Sequence, residues 1–297
     1  MTASVTTCRA VLIAGPTASG KSALAITLAQ RRNGVVVNAD SMQVYRDLEI
    51  LTARPTNDEL QQAPHALYGY VEGSDACSVG RWIVDVRAAV DVAWQDGRLP
   101  IIVGGTGLYF KALLEGLSPI PPVPADVREH WREVARQLDP AALHGQLSAR
   151  DPATAGRIAP TDRQRLTRAL EVLEATGRGL TDWQQERGQP VLAAETAELL
   201  VVAPERAALY RRADARLDRM IAGGAIEEVR RLSRRGYSPE LPMMRALGVA
   251  PLLAAQAGTL TLEQAVARAK LDTRHYIKRQ ETWLRRNMIT WNQVETQ

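Results

Sequence analysis

Gly15-Pro16-Thr17-Ala18-Ser19-Gly20-Lys21-Ser22 has the spacing G-x-x-x-x-G-K-[ST], in which backbone N–H groups wrap a diphosphate. Lys21 adds a full positive charge, and the Ser22 hydroxyl is of the kind that ligates Mg²⁺. A second candidate is Asp40, a carboxylate that closes the apolar run Val35-Val36-Val37. Such a group can take a proton from a nucleophile that approaches a bound phosphate ligand. It can equally cap a turn, and the residues alone leave the two readings open. The apolar run Ile101-Ile102-Val103 ends in Gly104-Gly105. The acid that holds Mg²⁺ in phosphate-loop ATPases is therefore missing there. Two chemistries fit one diphosphate cradle and one base: a small-molecule kinase, and an alkyl transferase with diphosphate as leaving group. A third reading is a nucleotide-dependent RNA-binding switch with no chemistry of its own.

These groups need a frame. Ala10 to Ala14 reads as a buried strand ahead of the loop, and Ala23, Leu24, Ile26 and Leu28 continue as a helix behind it. The helix N-terminus then offers its orphan amides and positive dipole end to the anion. Strand, helix and the strand at 35–37 make a βαβ unit, hence a parallel sheet. Residues 79–95 read as a helix, Pro100 to Gly105 as a third strand, and Leu199 to Val202 as a returning one. Thr106-Gly107 turns into a helix carrying Leu108, Tyr109, Leu113 and Leu114. Gly105-x-Gly107 is half of a dinucleotide fingerprint, but Phe110 stands where the third glycine belongs.

Four prolines in Ser118-Pro119-Ile120-Pro121-Pro122-Val123-Pro124 mark a linker. From Ala125 to Thr181 the pattern is helical. Thr161-x-x-Gln164 reads as a capping box, and Leu166, Ala169, Leu170 and Leu173 form an apolar stripe. The expected organisation is an α/β core from 1–115 and 196–297, split by a helical insertion over 116–195.

Composition is that of a globular chain, 45% apolar and 24% charged. No apolar run reaches the ~20 residues of a membrane span. The N-terminal apolar stretch is too short for a signal peptide and runs into the phosphate loop, so a cytoplasmic location is expected. Cys8 and Cys77 lack metal-ligand spacing, and the four histidines are isolated. Residues 205–297 carry 17 Lys/Arg against 10 Asp/Glu, which fits a polyanionic partner or a solvated helical surface.

Five segments together resemble the bacterial tRNA dimethylallyltransferases. They are the phosphate loop, Asp40-Ser41-Met42-Gln43-Val44-Tyr45-Arg46, Gly104-Gly105-Thr106-Gly107-Leu108-Tyr109, Gln164-Arg165-Leu166-Thr167-Arg168-Ala169-Leu170-Glu171-Val172 and Thr273-Arg274-His275-Tyr276-Ile277-Lys278-Arg279-Gln280. In order and spacing they span nearly the whole chain. The resemblance implies a P-loop NTPase-like fold and Mg²⁺-dependent transfer of a dimethylallyl group from its diphosphate to N6 of adenosine 37 in tRNA. It implies that Asp40 is the base, with Thr17 and Arg245 also catalytic, and that residues 15–22 bind the diphosphate. Ser41, Met42, Gln43 and Thr106 would contact the flipped nucleotide with Asp40. Arg128, Gln164, Arg165, Leu166, Thr167, Arg168 and Arg245 would contact the anticodon stem-loop.

Arg274, Lys278 and Arg285 share one side of the last helix, where Tyr276 and Trp283 are expected as core anchors. A monomer, free of membranes, is expected. The rival enzyme class acts on free adenine nucleotides, against which the helical insertion and its arginines count. The chain departs from the family pattern at Leu51 and Arg54 (Leu51-Thr52-Ala53-Arg54-Pro55 for Gly-Thr-Ala-Lys-Pro), at Ala66, at Gly80-Arg81-Trp82 and at Val249.

Overall fold

The computed structural model describes residues 8–295, which divide into two compact units. The first comprises the chain up to Leu114 and from Val191 onward; the second is Glu115–Pro190. In chain order the first unit contains β1 (Ala10–Ala14), α1 (Lys21–Arg31), β2 (Gly34–Asn38), α2 (Asn57–Gln62), β3 (His65–Ala66), α3 (Val79–Gln95), β4 (Leu99–Gly104) and α4 (Gly107–Glu115), whose last residue opens the second unit. The second unit holds α5 (Ala125–Gln137), α6 (Pro140–Arg150), α7 (Pro152–Ala155), α8 (Arg163–Thr176) and α9 (Leu180–Trp183). The first unit resumes with β5 (Ala197–Val202), α10 (Arg206–Ala222), α11 (Ala225–Arg234), α12 (Val249–Gln256), α13 (Leu262–Asn287) and β6 (Asn292–Val294).

The six strands form one sheet in the order β3-β2-β4-β1-β5-β6, with every neighbouring pair parallel. Strands covered on both faces read as unbroken apolar runs, and β1 is buried at all five positions. Val11 and Ile13 face α1 residues Ala25, Ile26 and Ala29. Ala10 and Leu12 belong to the larger core on the other face, with Trp82 and Val86 of α3 and Val229 of α11. Because β1 lies between β4 and β5, the chain leaves β1 toward one side of the sheet and later returns to the other. The crevice beyond the carboxyl end of such a strand is where α/β sheets bind ligands. The phosphate loop starts there.

The first unit resumes at Val191, five residues before the 196 read from sequence. Val191 and Leu192 both donate backbone N–H groups to Leu113 O (2.9 and 3.2 Å), and Leu192 is buried in the sheet's core. The helical unit has its own core of Trp131, Leu143, Leu147, Leu166, Ala169 and Leu170. Asp139-Pro140 and Asp151-Pro152 start its α6 and α7, the aspartate side chains accepting from Ala142 and Thr154 N–H groups. The capping box read at Thr161 and Gln164 is not formed. Asp162 is the N-cap of α8, accepting from Arg165 N–H at 3.1 Å, because its carboxylate stands one residue before the first helical turn.

Gly104 explains the missing acid of β4. A Cβ there would lie 2.0 Å from Ala39 O and 2.2 Å from Ala39 C, both backbone atoms at the end of β2. Gly104→Ala is expected to destabilise the protein by about 3 kcal/mol. A urea midpoint equal to the wild type's would contradict this.

Candidate active site

The phosphate loop is held by backbone contacts at both ends. Gly15 N–H donates to Gly104 O at 3.3 Å, and Ser19 N–H to Pro16 O at 3.3 Å. Ala18 takes a left-handed φ of 63° and Gly20 one of 91°. The alanine is the costlier of the two; it packs against the cluster of Leu209, Ala213 and Ile277. Ser22, on the first turn of α1, is exposed.

Lys21 donates to Pro16 O at 3.1 Å. Burial lowers its ammonium to about 8, opposed by Asp40 and reinforced by Arg216. These causes place Lys21, Asp40 and Arg216 in one electrostatic neighbourhood. Lys21 is therefore charged below about pH 8 and loses its proton above it, while a bound diphosphate favours the charged form. Affinity for a diphosphate should be level below pH 8 and fall above it by up to about tenfold per unit, with proton uptake on binding. Lys21→Arg should remove that inflection from a KM–pH profile, since a guanidinium stays charged.

Asp40 caps a turn, one of the two readings the sequence left open, and its position remains compatible with the other. Its Oδ1 accepts from Met42 N–H at 2.8 Å and so closes the turn of residues 41–44. The side chain is only partly buried and stands in the field of Lys21 and Arg216. Asn38, fully buried, fixes this loop. Its Oδ1 accepts from Asp40 N–H at 2.8 Å, and its Nδ2 donates to Asp40 O and Leu67 O, both at 3.0 Å. Thr106 braces the next residue: its Oγ1 accepts from Ser41 N–H at 3.0 Å. Gln43 Nε2 donates to Thr52 O and Ala53 O, both at 2.8 Å. The Tyr68 and Tyr276 phenols are pushed well above their usual range, by burial first and by the Asp40 charge second. Tyr276 is half-buried, feels the Asp40 charge and does not join the hydrophobic core as the anchor expected. Trp283 does anchor, its ring lying where a Gly107 Cβ would be 2.2 Å away.

Besides Asn38, two side chains of this site were not read from the sequence. Arg216 donates to Thr17 Oγ1, and burial lowers its pKa. Its position carried a signal: seven residues after Leu209 and three after Ala213, it flanks the buried stripe of α10. Gln280 is buried; its Oε1 accepts from Thr17 N–H and its Nε2 donates to Gly105 O, each at 2.9 Å.

Arg245 is exposed at the end of a 3₁₀ turn and makes no hydrogen bond or ion pair with the described residues. In the helical unit Arg128, Gln164, Arg165 and Arg168 are exposed. Arg165 pairs with Asp162 at 3.4 Å and Arg168 with Glu171 at 3.2 Å. Leu166 and Thr167 do not offer themselves to RNA as expected. Leu166 is 0% exposed, and Thr167, at 9%, donates its hydroxyl to Arg163 O. Leu166 falls on the stripe that forms the unit's core, and Thr167 is buried beside it.

Much of the C-terminal basic charge is paired. Lys270 meets Asp218 at 2.7 Å, Arg206 meets Glu281 at 2.6 Å, and Arg274 meets Asp214. Lys278 and Arg285 are exposed.

The departures from the family pattern have local reasons. Leu51 needs no left-handed backbone and buries its side chain, which lies against Gly248. Arg54 donates to Tyr45 O and Arg46 O at 3.2 and 3.1 Å. Ala66 pairs with Val37 in the sheet, Arg81 meets Asp75 at 3.4 Å, and Val249 is buried at the start of α12.

The family model for IPP transferase matches residues 43–287, and that for isopentenyl transferase matches residues 8–68. The chain is 53% identical over 288 residues to the tRNA dimethylallyltransferase of Nitrobacter hamburgensis, covering 96% of this chain and 91% of that one. It is 57% identical over 277 residues to the tRNA dimethylallyltransferase of Methylobacterium nodulans, covering 93% and 91%. Among solved structures it is similar to the tRNA isopentenylpyrophosphate transferase of Bacillus halodurans, with 33% identity, a TM-score of 0.69 and coverage of 97% and 90%. It is also similar to a eukaryotic dimethylallyltransferase caught acting on tRNA, with 28% identity, a TM-score of 0.82 and coverage of 96% and 73%.

Proposed function

The chain belongs to the IPP transferase family, whose curated relatives are tRNA dimethylallyltransferases, and we infer that it transfers a dimethylallyl group from dimethylallyl diphosphate to N6 of adenosine 37 in tRNA. One observation carries the reading. The Asp40 carboxylate stands in the same field as the phosphate-loop lysine and Arg216, while β4 ends at Gly104, followed by Gly105, instead of at the acid a kinase would use.

An exocyclic adenine amine is a weak nucleophile, because its lone pair is delocalised into the ring. It attacks the allylic C1 as the C–O bond to the diphosphate breaks, and its proton passes to Asp40 as the C–N bond forms. The departing diphosphate gathers negative charge. Thr17, Lys21, Arg216 and the loop amides meet that charge from fixed positions, so they act most strongly in the transition state. Arg245 is the further candidate for this charge.

Mg²⁺ fits the donor set. Ser22 presents an exposed hydroxyl. Among the described residues no group of three or more His, Cys, Asp or Glu side chains would cage an ion. Ser22 is the residue that would hold an oxygen-seeking ion of the Mg²⁺ kind. When bound it supplies positive charge to the leaving group.

Exposed Arg128, Gln164, Arg165 and Arg168 are the side chains that the helical unit offers to the anticodon stem-loop, through phosphate contacts and stacking. Among the described residues no helix is long and apolar enough to cross a membrane. The reading makes the enzyme a cytoplasmic monomer.

The test is incubation with radiolabelled dimethylallyl diphosphate, Mg²⁺ and either unmodified tRNA or free AMP, followed by nucleoside analysis. Label on adenosine 37 of tRNA alone is the expected result. Label on AMP would move the chain to the free-nucleotide class, and ATP turnover without label would leave a kinase.

A further inference from the structure

Glu228 of α11 is 1% exposed and meets no lysine, arginine or histidine within ion-pair distance among the described residues. A buried carboxylate is held only where donors replace its hydration. Here the donors are three successive backbone amides: Glu49 and Ile50 N–H to Oε1 at 2.7 and 2.8 Å, and Leu51 N–H to Oε2 at 2.9 Å. They open a tight turn in which Ala53 N–H donates to Ile50 O and Arg54 N–H to Glu49 O, both at 3.0 Å. Ala53 takes a left-handed φ of 53° at the far side of that turn, a conformation that alanine keeps only where its surroundings impose it. The turn is also pinned sideways, with Leu51 against Gly248 and Ile50 against Gly224.

The outward product of this turn is a pair of carbonyls. Thr52 O and Ala53 O both accept from Gln43 Nε2. Two carbonyl neighbours leave no choice of amide orientation, because only the nitrogen can donate to them. Both hydrogens of the carboxamide are therefore used, and Oε1, an acceptor, is the group left for a ligand. An acceptor at a base edge favours an amino group over a ring carbonyl, since the latter would leave two acceptors facing each other. Adenine is thereby favoured over hypoxanthine.

We propose that Glu228 is a positioning residue for base recognition: by fixing the amides of residues 49–51 it holds the two carbonyls that lock the Gln43 carboxamide with its oxygen toward the flipped base. This rests on the function proposed above and on the contact between Gln43 and the flipped nucleotide that the family resemblance implies. Glu228 touches neither substrate and acts through the turn and Gln43.

The experiment measures binding of anticodon stem-loop RNA carrying either adenosine or inosine at position 37, with dimethylallyl diphosphate binding and thermal midpoint recorded on the same samples. Glu228→Gln replaces one acceptor by an NH₂ that faces an amide N–H. It should lower the adenosine-over-inosine affinity ratio by about tenfold while diphosphate binding stays within twofold. Gln43→Ala should lower the ratio as much, and the double variant no further. Glu228→Asp keeps the charge one methylene short and should fall between wild type and Glu228→Gln; it serves equally if the glutamine variant does not fold. A wild-type ratio in the folded Glu228 variants, or losses that multiply in the double variant, would overturn the inference. If the wild type labels tRNA but the ratio survives in the variants, this inference alone fails. If the wild type neither labels nor binds the RNA, the functional reading fails with it.

Discussion

Asp40→Asn transfers the dimethylallyl group about 10²–10⁴-fold more slowly than wild type in single-turnover assays, the range typical for loss of a general base. Asparagine suits the purpose because the proposed base also has a structural contact. Its Oδ1 closes the loop by accepting from Met42 N–H, and an asparagine oxygen can keep that bond. Asn38 and Thr106 hold the loop backbone through Asp40 N and Ser41 N, which the substitution leaves untouched. Lost are the negative charge and the proton acceptor. Binding of tRNA and of the diphosphate should each stay within a few-fold of wild type. A near-normal single-turnover rate would remove Asp40 from the chemistry and leave it as a turn residue.

Arg216→Ala should lower kcat/KM for dimethylallyl diphosphate by about 10²–10³-fold, the scale of deleting one preorganised donor to a developing anion. Arg216 reaches Thr17 from α10, so the substitution removes a positive charge and frees the threonine hydroxyl. If the guanidinium acts on the leaving group, kcat falls together with kcat/KM. Arg216→Lys should recover part of the rate, through charge without the planar fork. A rise in KM with unchanged kcat would instead make Arg216 a ground-state binding residue. The Lys21 profile offers a second check. Arg216 helps to lower the Lys21 ammonium, so in Arg216→Ala the inflection near pH 8 should move upward.

What was legible in the sequence follows from range. β1, β2, β4 and β5 were readable because strands buried on both faces leave unbroken apolar runs. The phosphate loop was readable because its requirements are local: glycines, a lysine and a hydroxyl within eight residues. The short edge strands β3 and β6 were not. Two or three residues such as His65-Ala66 and Asn292-Gln293-Val294 carry no period, and their pairing is imposed by the strands beside them. The cap of α8 was misplaced by one residue because both Thr161 and Asp162 satisfy the local rule. Leu166 and Thr167 were assigned to RNA although the stripe that includes Leu166 had already claimed that face for the core. Gln280, Asn38 and Glu228 were missed for a shared reason. Each is an ordinary polar residue whose significance lies in the backbone groups it meets, and for Gln280 and Glu228 those partners are far away along the chain.

Gln280 makes this last point one of biosynthesis. The Thr17 amide, at the centre of the phosphate loop, finds its acceptor 263 residues later in the chain, on a helix that follows every strand but β6. A ribosome therefore completes the helical unit, β5 and most of α13 before the first motif it made can be held in its final form. Contacts of such long separation are slow to form. A prematurely terminated chain would carry the whole motif and lack its brace. A chain that ends before α13 is therefore expected to hold the loop less firmly than the full-length protein, which a comparison of diphosphate affinity between the two would read.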